Sequence, residues 1–285
     1  MALFSDVLLT VDFDRTLTAP DSTIPARNLE AIHYFMENGG AFTMNTGRGI
    51  PMSLRNILGI VPHNAPLLLY NGSADYDEEN ACLTRFVPLD LDPMVVLPDL
   101  QARFPELNVE IQALDAHYLM RKDKGWEDYC DNNGCPWKYA APNQIPGPFI
   151  KFSIYGQFRE NTVASMYEAT EEELQQFDNA ISFLQENYGS KIEIFRACAR
   201  IADIHAKGCS KLKAARQLQT QLDRKILVCV GDADNDLTML EGADYAFCPA
   251  DGSVADRFPN VCNCADGAVA DVIYKKIPEI LGIQP

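Results

Sequence analysis

The stretch VLLTVDFDRTLT, residues 7–18, decides how the rest of the chain is read. A mostly apolar run of five residues, VLLTV, rich in β-branched side chains, is the composition of a strand buried on both faces. It is followed at once by two carboxylates one residue apart, Asp12 and Asp14. Charges are rarely brought to the end of a buried strand unless something there uses them. In an open parallel sheet, ligands sit beyond the carboxyl ends of the strands. The pair therefore raises two expectations together: a parallel sheet, and a site at its carboxyl edge.

The neighbouring sequence extends the first expectation. NLEAIHYFMENGG places Leu29, Ile32, Phe35 and Met36 on one helical face, and Gly39 and Gly40 end the helix. AFTMNT reads as a second strand, MSLRNILGI after the GRG break as a helix, and PLLLYNG as a third strand. Near the far end, KLKAARQLQTQL, ILVCVGD, NDLTMLEGA and YAFCP repeat the helix and strand alternation. Such alternation predicts an α/β, Rossmann-like fold with a parallel sheet and crossover helices.

The middle differs. LNVEIQAL and AHYLMRKD alternate like antiparallel strands with one wet face, and KFSIYG reads as another strand. EATEEELQQFDNAISFLQENYG has helical spacing through Leu174, Phe177, Ile181 and Leu184. KGWEDYCDNNGCPWKYAAPNQIPGP, rich in Pro, Gly and Asn, reads as loop with one helical turn at most. We expect a discontinuous α/β domain, residues 1–84 and 191–285, interrupted by an α+β domain over 85–190. A chain of 285 residues fits two such domains at roughly 100–200 residues each.

Composition narrows the function. Hydrophobic residues make up 47% and charged residues 22%, and the net charge is −16. That charge argues against nucleic acid and anionic membrane surfaces as partners, because both require a basic face. No protein partner is implied. The first residues carry no positive charge ahead of the apolar ones, and Asp6 interrupts them, so no signal peptide is expected. No apolar run approaches the ~20 residues that span a bilayer. Nine cysteines, an odd number in apolar contexts, read as reduced thiols of a cytoplasmic protein. Cys130 with Cys135 and Cys262 with Cys264 lack a second pair, or a following histidine, at zinc-site spacing, and are read as small hydrophobes. His33, His63, His117 and His205 are isolated in sequence and read as structural.

The carboxyl ends of the other core strands hold the remaining chemistry. AFTMNT leads to Thr46, Gly47 and Arg48; PLLLYNG to Asn71; ILVCV to Asp232, Asp234, Asn235 and Asp236. Lys207 and Lys211 precede a helix. Several carboxylates share a dry crevice only if a cation neutralises them. Mg²⁺ prefers oxygen ligands and takes one or two carboxylates plus substrate phosphate. A carboxylate can also act as a nucleophile, through an aspartyl-phosphate. The cation, a lysine, a hydroxyl and backbone N–H groups then balance the charge on the transferring phosphoryl group. DADNDLTMLE is not an EF-hand loop: Leu237 and Ala243 stand where Gly and Glu are needed.

Four segments in order resemble the four motifs of the haloacid dehalogenase (HAD) superfamily. DFDRT, ending at Thr16, resembles D-x-D-x-T. NTGR resembles the second motif, AKGCSKLKAA the lysine-bearing third, and GDADND the fourth, G-D-x-x-N-D. The wording is most similar to the Cof-type, or type IIB, phosphatases, in which an inserted α+β cap of the C2 type covers the active site. The resemblance runs the length of the chain. It implies a Mg²⁺-dependent phosphatase of a small phosphorylated metabolite, such as a sugar phosphate. By the same resemblance Asp12 is the nucleophile, Asp14 the acid and base, and Thr46 the phosphate-binding hydroxyl. The lysine is Lys211, with Lys207 second. Asp12, the backbone carbonyl of Asp14, Asp232 and Asp236 hold or support the metal. Thr16, Gly47, Arg48, Asn71, Asn235 and Lys207 border the phosphate. Position 15 is Arg where the family usually has Gly. VDFDRTLTAP also resembles the opening of phosphomannomutases, so a phosphomutase stays open, as does a non-catalytic phospho-acceptor or metal-binding module.

Overall fold

The structure, a computed structural model, describes residues 2–147, 149–156 and 168–283. The chain divides into two units. One comprises residues 1–47, 59–86 and 210–285; the other, residues 48–58 and 87–209.

The first unit is built on a five-stranded parallel sheet. Val7–Val11 is central, flanked by Ile226–Val230 and Ala41–Met44, and Tyr245–Pro249 and Asn260–Val261 extend it on the Ile226 side. Val7–Val11 is buried throughout, as expected of a strand covered on both faces. Ala26–Glu37 and Lys211–Gln221 are the main helices expected here. Leu8, Leu227, Cys229, Ala214, Leu218 and Met239 pack in one core cluster of this unit. Leu67–Leu69 meets the parallel sheet through a bridge from Leu68 to Asn45, and then leads an antiparallel meander with Ala74–Asp77 and Cys82–Phe86. That meander was not expected from the sequence.

The second unit carries a six-stranded sheet in the order Ile192–Cys198, Ile201–Ala206, Lys151–Gly156, Leu107–Gln112, His117–Leu119, Trp137–Tyr139. All pairs are antiparallel except the last. Alternation sorts its faces: Val109, Ile111, Phe152, Ile154, Ala202 and Ile204 enter the core cluster with Phe177 and Leu184 of helix Glu171–Tyr188. Between them Glu110, Gln112, Lys151, Ser153, Asp203 and His205 are buried polar residues.

Four local expectations differ from the structure: first, Leu107–Gln112 and His117–Leu119, expected to keep one wet face, are buried throughout. The boundary drawn at 190/191 falls before two strands, Ile192–Cys198 and Ile201–Ala206, whose ladder joins Lys151–Gly156, so residues up to Cys209 sit in the second unit. The segment read as loop contains a ten-residue helix, Lys124–Asn133, and the strand Trp137–Tyr139; its Pro148 lies outside the described residues. Asp123 caps that helix by accepting from the Gly125 and Trp126 N–H groups, and Gly134 closes it in the left-handed conformation (φ 63°). The helix expected over MSLRNILGI is only the turn Ile50–Ser53. There the Ser53 carbonyl accepts from Asn56, Ile57 and Leu58 together, which ends the regular ladder. Among the described residues, no helix is long and apolar enough to cross a membrane.

Candidate active site

Asp12 follows the central strand directly. Its N–H bonds the Val230 carbonyl at 2.9 Å, one more step of the parallel ladder, so its side chain is fixed at the carboxyl edge of the sheet. The chain then turns sharply. Asp14 and Arg15 are exposed, and Arg15 sits at φ 58°, ψ 10°. That left-handed conformation explains why glycine suits the position, because a side chain there costs ~1–2 kcal/mol. The turn brings Thr16 back inside, where its hydroxyl donates to Asp232 Oδ1 at 3.0 Å.

Asp232 and Asp236 come from the segment after Ile226–Val230. Asp236 Oδ2 accepts from the N–H groups of Asp232 and Ala233 at 3.0 and 3.3 Å, which shapes the loop around its own carboxylate. Gly231 is required here: a Cβ would lie 2.6 Å from Asp236 Cγ. Asn235 is half-buried in the turn between them.

Lys211 opens helix Lys211–Gln221, behind the N-cap Ser210, whose hydroxyl accepts from Lys213 N–H at 3.1 Å. An ammonium at a helix N-terminus opposes the helix dipole. Two carboxylates outweigh that: Lys211 Nζ is 2.6 Å from both Asp12 Oδ1 and Asp236 Oδ1. Lys207, the other candidate, lies in the second unit, where it pairs with Glu193 at 3.2 Å. Arg48 is also in the second unit, with Nη1 3.5 Å from the Met52 carbonyl.

Thr46 is buried. Its N–H donates to Leu68 O at 2.9 Å, and its carbonyl accepts from Asn71 N–H at 3.0 Å. Gly47 lies close against the Asn71 side chain. Tyr70 and Asn71 both have positive φ, 53° and 51°, an unusual pair of strained residues beside the predicted phosphate contacts. Gly72 (φ 83°) then passes so close to Ser210 that a Cβ would lie 2.3 Å from its carbonyl oxygen. Asn45, which the sequence reading passed over, donates from Nδ2 to the Lys211 carbonyl at 3.0 Å and so pins the start of the lysine helix. Its place beside Thr46 in the NTGR segment was the available signal.

The first unit thus gathers Asp12, Thr16, Asp232, Asp236 and Lys211. Carboxylate oxygens of Asp12, Asp232 and Asp236 all lie within 4.8 Å of one another, and all three residues are buried. Ionised, three carboxylates and one ammonium leave two negative charges. Burial, and then repulsion from the other carboxylates, raises Asp12 well above the ordinary range despite Lys211. The same causes lift Asp232 to about 7. Burial pulls Lys211 down, but Asp12 and Asp236 outweigh it and hold the amine above the usual lysine range. All the donors are hard oxygens and the surplus matches one divalent cation, so the residues fit Mg²⁺. Both Asp236 oxygens are already engaged by Lys211 and the backbone. The Asp14 carboxylate is not in the group.

Comparison with known proteins bears on the family and the fold. The model of the haloacid dehalogenase-like hydrolases matches residues 9–266. The chain is 26% identical over 237 residues to the HMP-PP phosphatase of Yersinia enterocolitica, covering 82% of this chain and 80% of that one. It is 23% identical over 241 residues to the 5-amino-6-(5-phospho-D-ribitylamino)uracil phosphatase YitU of Bacillus subtilis, covering 83% of each. Its fold is similar to that of the HAD subclass IIB sugar phosphatase BT4131, with a TM-score of 0.75 at 15% identity over 97% of this chain and 99% of that one.

Proposed function

The chain belongs to the haloacid dehalogenase-like hydrolase family, and from that premise we propose that it is a Mg²⁺-dependent, cytoplasmic phosphatase of a small phosphorylated metabolite, working through an aspartyl-phosphate on Asp12. The observation that carries the reading is Lys211 held at 2.6 Å from both Asp12 and Asp236, with Asp232 alongside. That lysine orients one oxygen of Asp12 and leaves the other to attack phosphorus. As the P–O bond to the leaving group breaks, Asp14, on the exposed side of the turn, gives its proton to the departing oxygen. It then takes a proton from the water that cleaves the acyl phosphate, releasing inorganic phosphate and restoring Asp12. Thr46, Asn71 and the backbone N–H groups near them receive the phosphoryl oxygens.

Asp12, Asp232 and the backbone carbonyl of Asp14 would hold Mg²⁺, which supplies charge neutralisation between nucleophile and phosphate. Asp236 acts through Lys211 as a positioning residue. The second unit, with buried polar side chains on one face of its sheet, is taken as the family's cap, which selects the leaving group. The relatives' names suggest substrates in which a phosphate is borne by a sugar, a sugar alcohol or HMP.

The test is phosphate release from HMP-PP, 5-amino-6-(5-phospho-D-ribitylamino)uracil and a set of sugar phosphates, with Mg²⁺ or with EDTA. Release that needs Mg²⁺ and is lost in Asp12→Asn is expected. Transfer of phosphate between sugar hydroxyls, with none to water, would replace the phosphatase by a mutase. No phosphate movement from any substrate would sink the catalytic reading.

A further inference from the structure

The second unit contains a cluster unrelated to the acidic site. His117 begins strand His117–Leu119, Cys130 lies in the last turn of helix Lys124–Asn133, and Cys135 follows that helix. A ligand atom from each lies within 4.8 Å of those of the other two, and all three residues are buried. Local structure explains the convergence. Gly134 turns the chain at the helix end, and Cys135 N–H returns to the Cys130 carbonyl at 2.9 Å. The next residue, Pro136, accepts from His117 N–H at 2.8 Å, which draws both sulfurs to the histidine strand.

A second observation points to a ligand. His117 is 1% exposed, and its ring nitrogens make no well-aligned hydrogen bond; its near polar neighbours are the Glu110 carboxylate and the Cys130 thiol. Buried imidazoles are rarely left so. Glu110 Oε2 lies 3.2 Å from Nδ1 and itself accepts from Trp126 Nε1–H. A carboxylate beside the ring of a metal-bound histidine is the usual orienting partner.

We propose that His117, Cys130 and Cys135 supply three ligands to a zinc-class divalent cation, with Glu110 orienting the imidazole and a water completing the tetrahedron. One nitrogen and two sulfurs are a donor set for Zn²⁺ and not for Mg²⁺. Tetrahedral zinc with ~2.3 Å Zn–S bonds places sulfurs ~3.8 Å apart, within the envelope of the cluster. Binding displaces the two thiol protons to water and changes no oxidation state. Met52, Leu119, Trp126, Tyr155 and Ile201 form an apolar cluster with the two cysteines, so the ion would staple the helix Lys124–Asn133 to the sheet where the core is small. The order His-x12-Cys-x4-Cys hides the site from a search for paired ligand motifs.

The test uses the full chain, reduced and stripped with EDTA, then titrated with Co²⁺. A thiolate-to-cobalt charge-transfer band that saturates at one ion per chain and is displaced by Zn²⁺ is expected. Oxygen ligands cannot produce it, so the band should persist in Asp232→Asn. It should persist in Cys82→Ser, whose cysteine is exposed, and vanish in Cys130→Ser and Cys135→Ser. If those variants do not fold, X-ray absorption of the zinc-loaded wild type decides, with two sulfur scatterers expected. Absence of the band in the wild type, its survival in Cys130→Ser, oxygen-only scatterers, or a Cys130–Cys135 disulfide in never-reduced protein would overturn the proposal.

Discussion

Replacing Lys211 by Met keeps the length of the side chain and removes its charge. In the folded chain Nζ is wholly buried and 2.6 Å from each of two carboxylates. At an effective dielectric of ~20 each contact is worth about 6 kcal/mol before desolvation. Desolvation of the ammonium offsets much of this, and removal of one partner from a buried pair typically costs ~3–5 kcal/mol. For a chain of 285 residues unfolding as one unit, that corresponds to a fall in Tm of roughly 5–8 °C. Asp12→Asn should behave oppositely. It removes one of three crowded carboxylates and leaves Lys211 paired with Asp236, so a change within ~1 kcal/mol, of either sign, is expected. The double variant should recover part of the loss caused by Lys211→Met alone. Urea denaturation in EDTA at low salt measures all three, and Lys207→Met, which touches only an exposed pair, is the control with ~0.5 kcal/mol or less at stake. Both single variants are expected to be inactive, so stability separates charge balance from chemistry. A Lys211→Met loss below ~1 kcal/mol, or an Asp12→Asn loss as large as that of Lys211→Met, would refute the reasoning.

Three further outcomes follow from the geometry. Arg15→Gly relieves ~1–2 kcal/mol of left-handed strain against ~0.5–1 kcal/mol from a looser unfolded chain. A gain of up to ~1 kcal/mol by calorimetry is expected, and a loss would mean the guanidinium makes an attraction that outweighs the strain. Gly72→Ala drives a Cβ to 2.3 Å from the Ser210 carbonyl at a positive φ. It should cost ~2–5 kcal/mol and reduce turnover in whatever protein folds, because Lys211 is the next residue; near-normal stability and activity would exclude so close an approach. His205 is buried, and that burial, aided by the Lys151 ammonium and opposed by Asp203, lowers its pKa to about 3. The Phe195 ring also faces it. A depressed histidine adds stability that is complete above about 6.5 and is lost as pH falls toward 3, at up to ~1.4 kcal/mol per pH unit. Urea midpoints at pH 7, 6 and 5 should fall more steeply for the wild type than for His205→Gln; equal slopes would exclude a buried neutral imidazole.

Much of the site was legible because its chemistry is local. VLLTV and ILVCV are strands by composition, and each ends in carboxylates, so parallel pairing alone brings Asp12 and Asp232 to one edge. Lys211 and Lys207 were harder to separate, since they are four residues apart and equally cationic. What distinguishes them is pairing: Lys207 N–H bonds the Lys191 carbonyl in one unit, while Lys211 starts a helix in the other. The same ambiguity moved the domain boundary, because IEIFRAC and IADIHA mix charges into short runs and gain their strand character from a ladder with residues 151–155. Helix Lys124–Asn133 was obscured by the Asn and Gly residues that terminate it. The convergence of His117 with Cys130 and Cys135 depends on that helix and its left-handed cap, and neither was expected.

The central strand also sets an order of events at the ribosome. Val7–Val11 precedes its partner Ile226–Val230 in translation by some 219 positions, as the contact of Thr10 with Cys229 shows. At ~5–20 residues per second, that delay is roughly 10–45 s. All six strands of the second sheet lie between Leu107 and Ala206 and can pair while Val7–Val11 still waits. The acidic cluster is therefore begun early and completed late: Asp12 meets Lys211 and Asp232 only when the last third of the chain has emerged. During that interval Ala41–Met44 is available to one edge of the strand, and the edge that Ile226–Val230 will take stays open. Chaperone dependence should concentrate there, and a slower-translated message should raise aggregation without altering the finished protein.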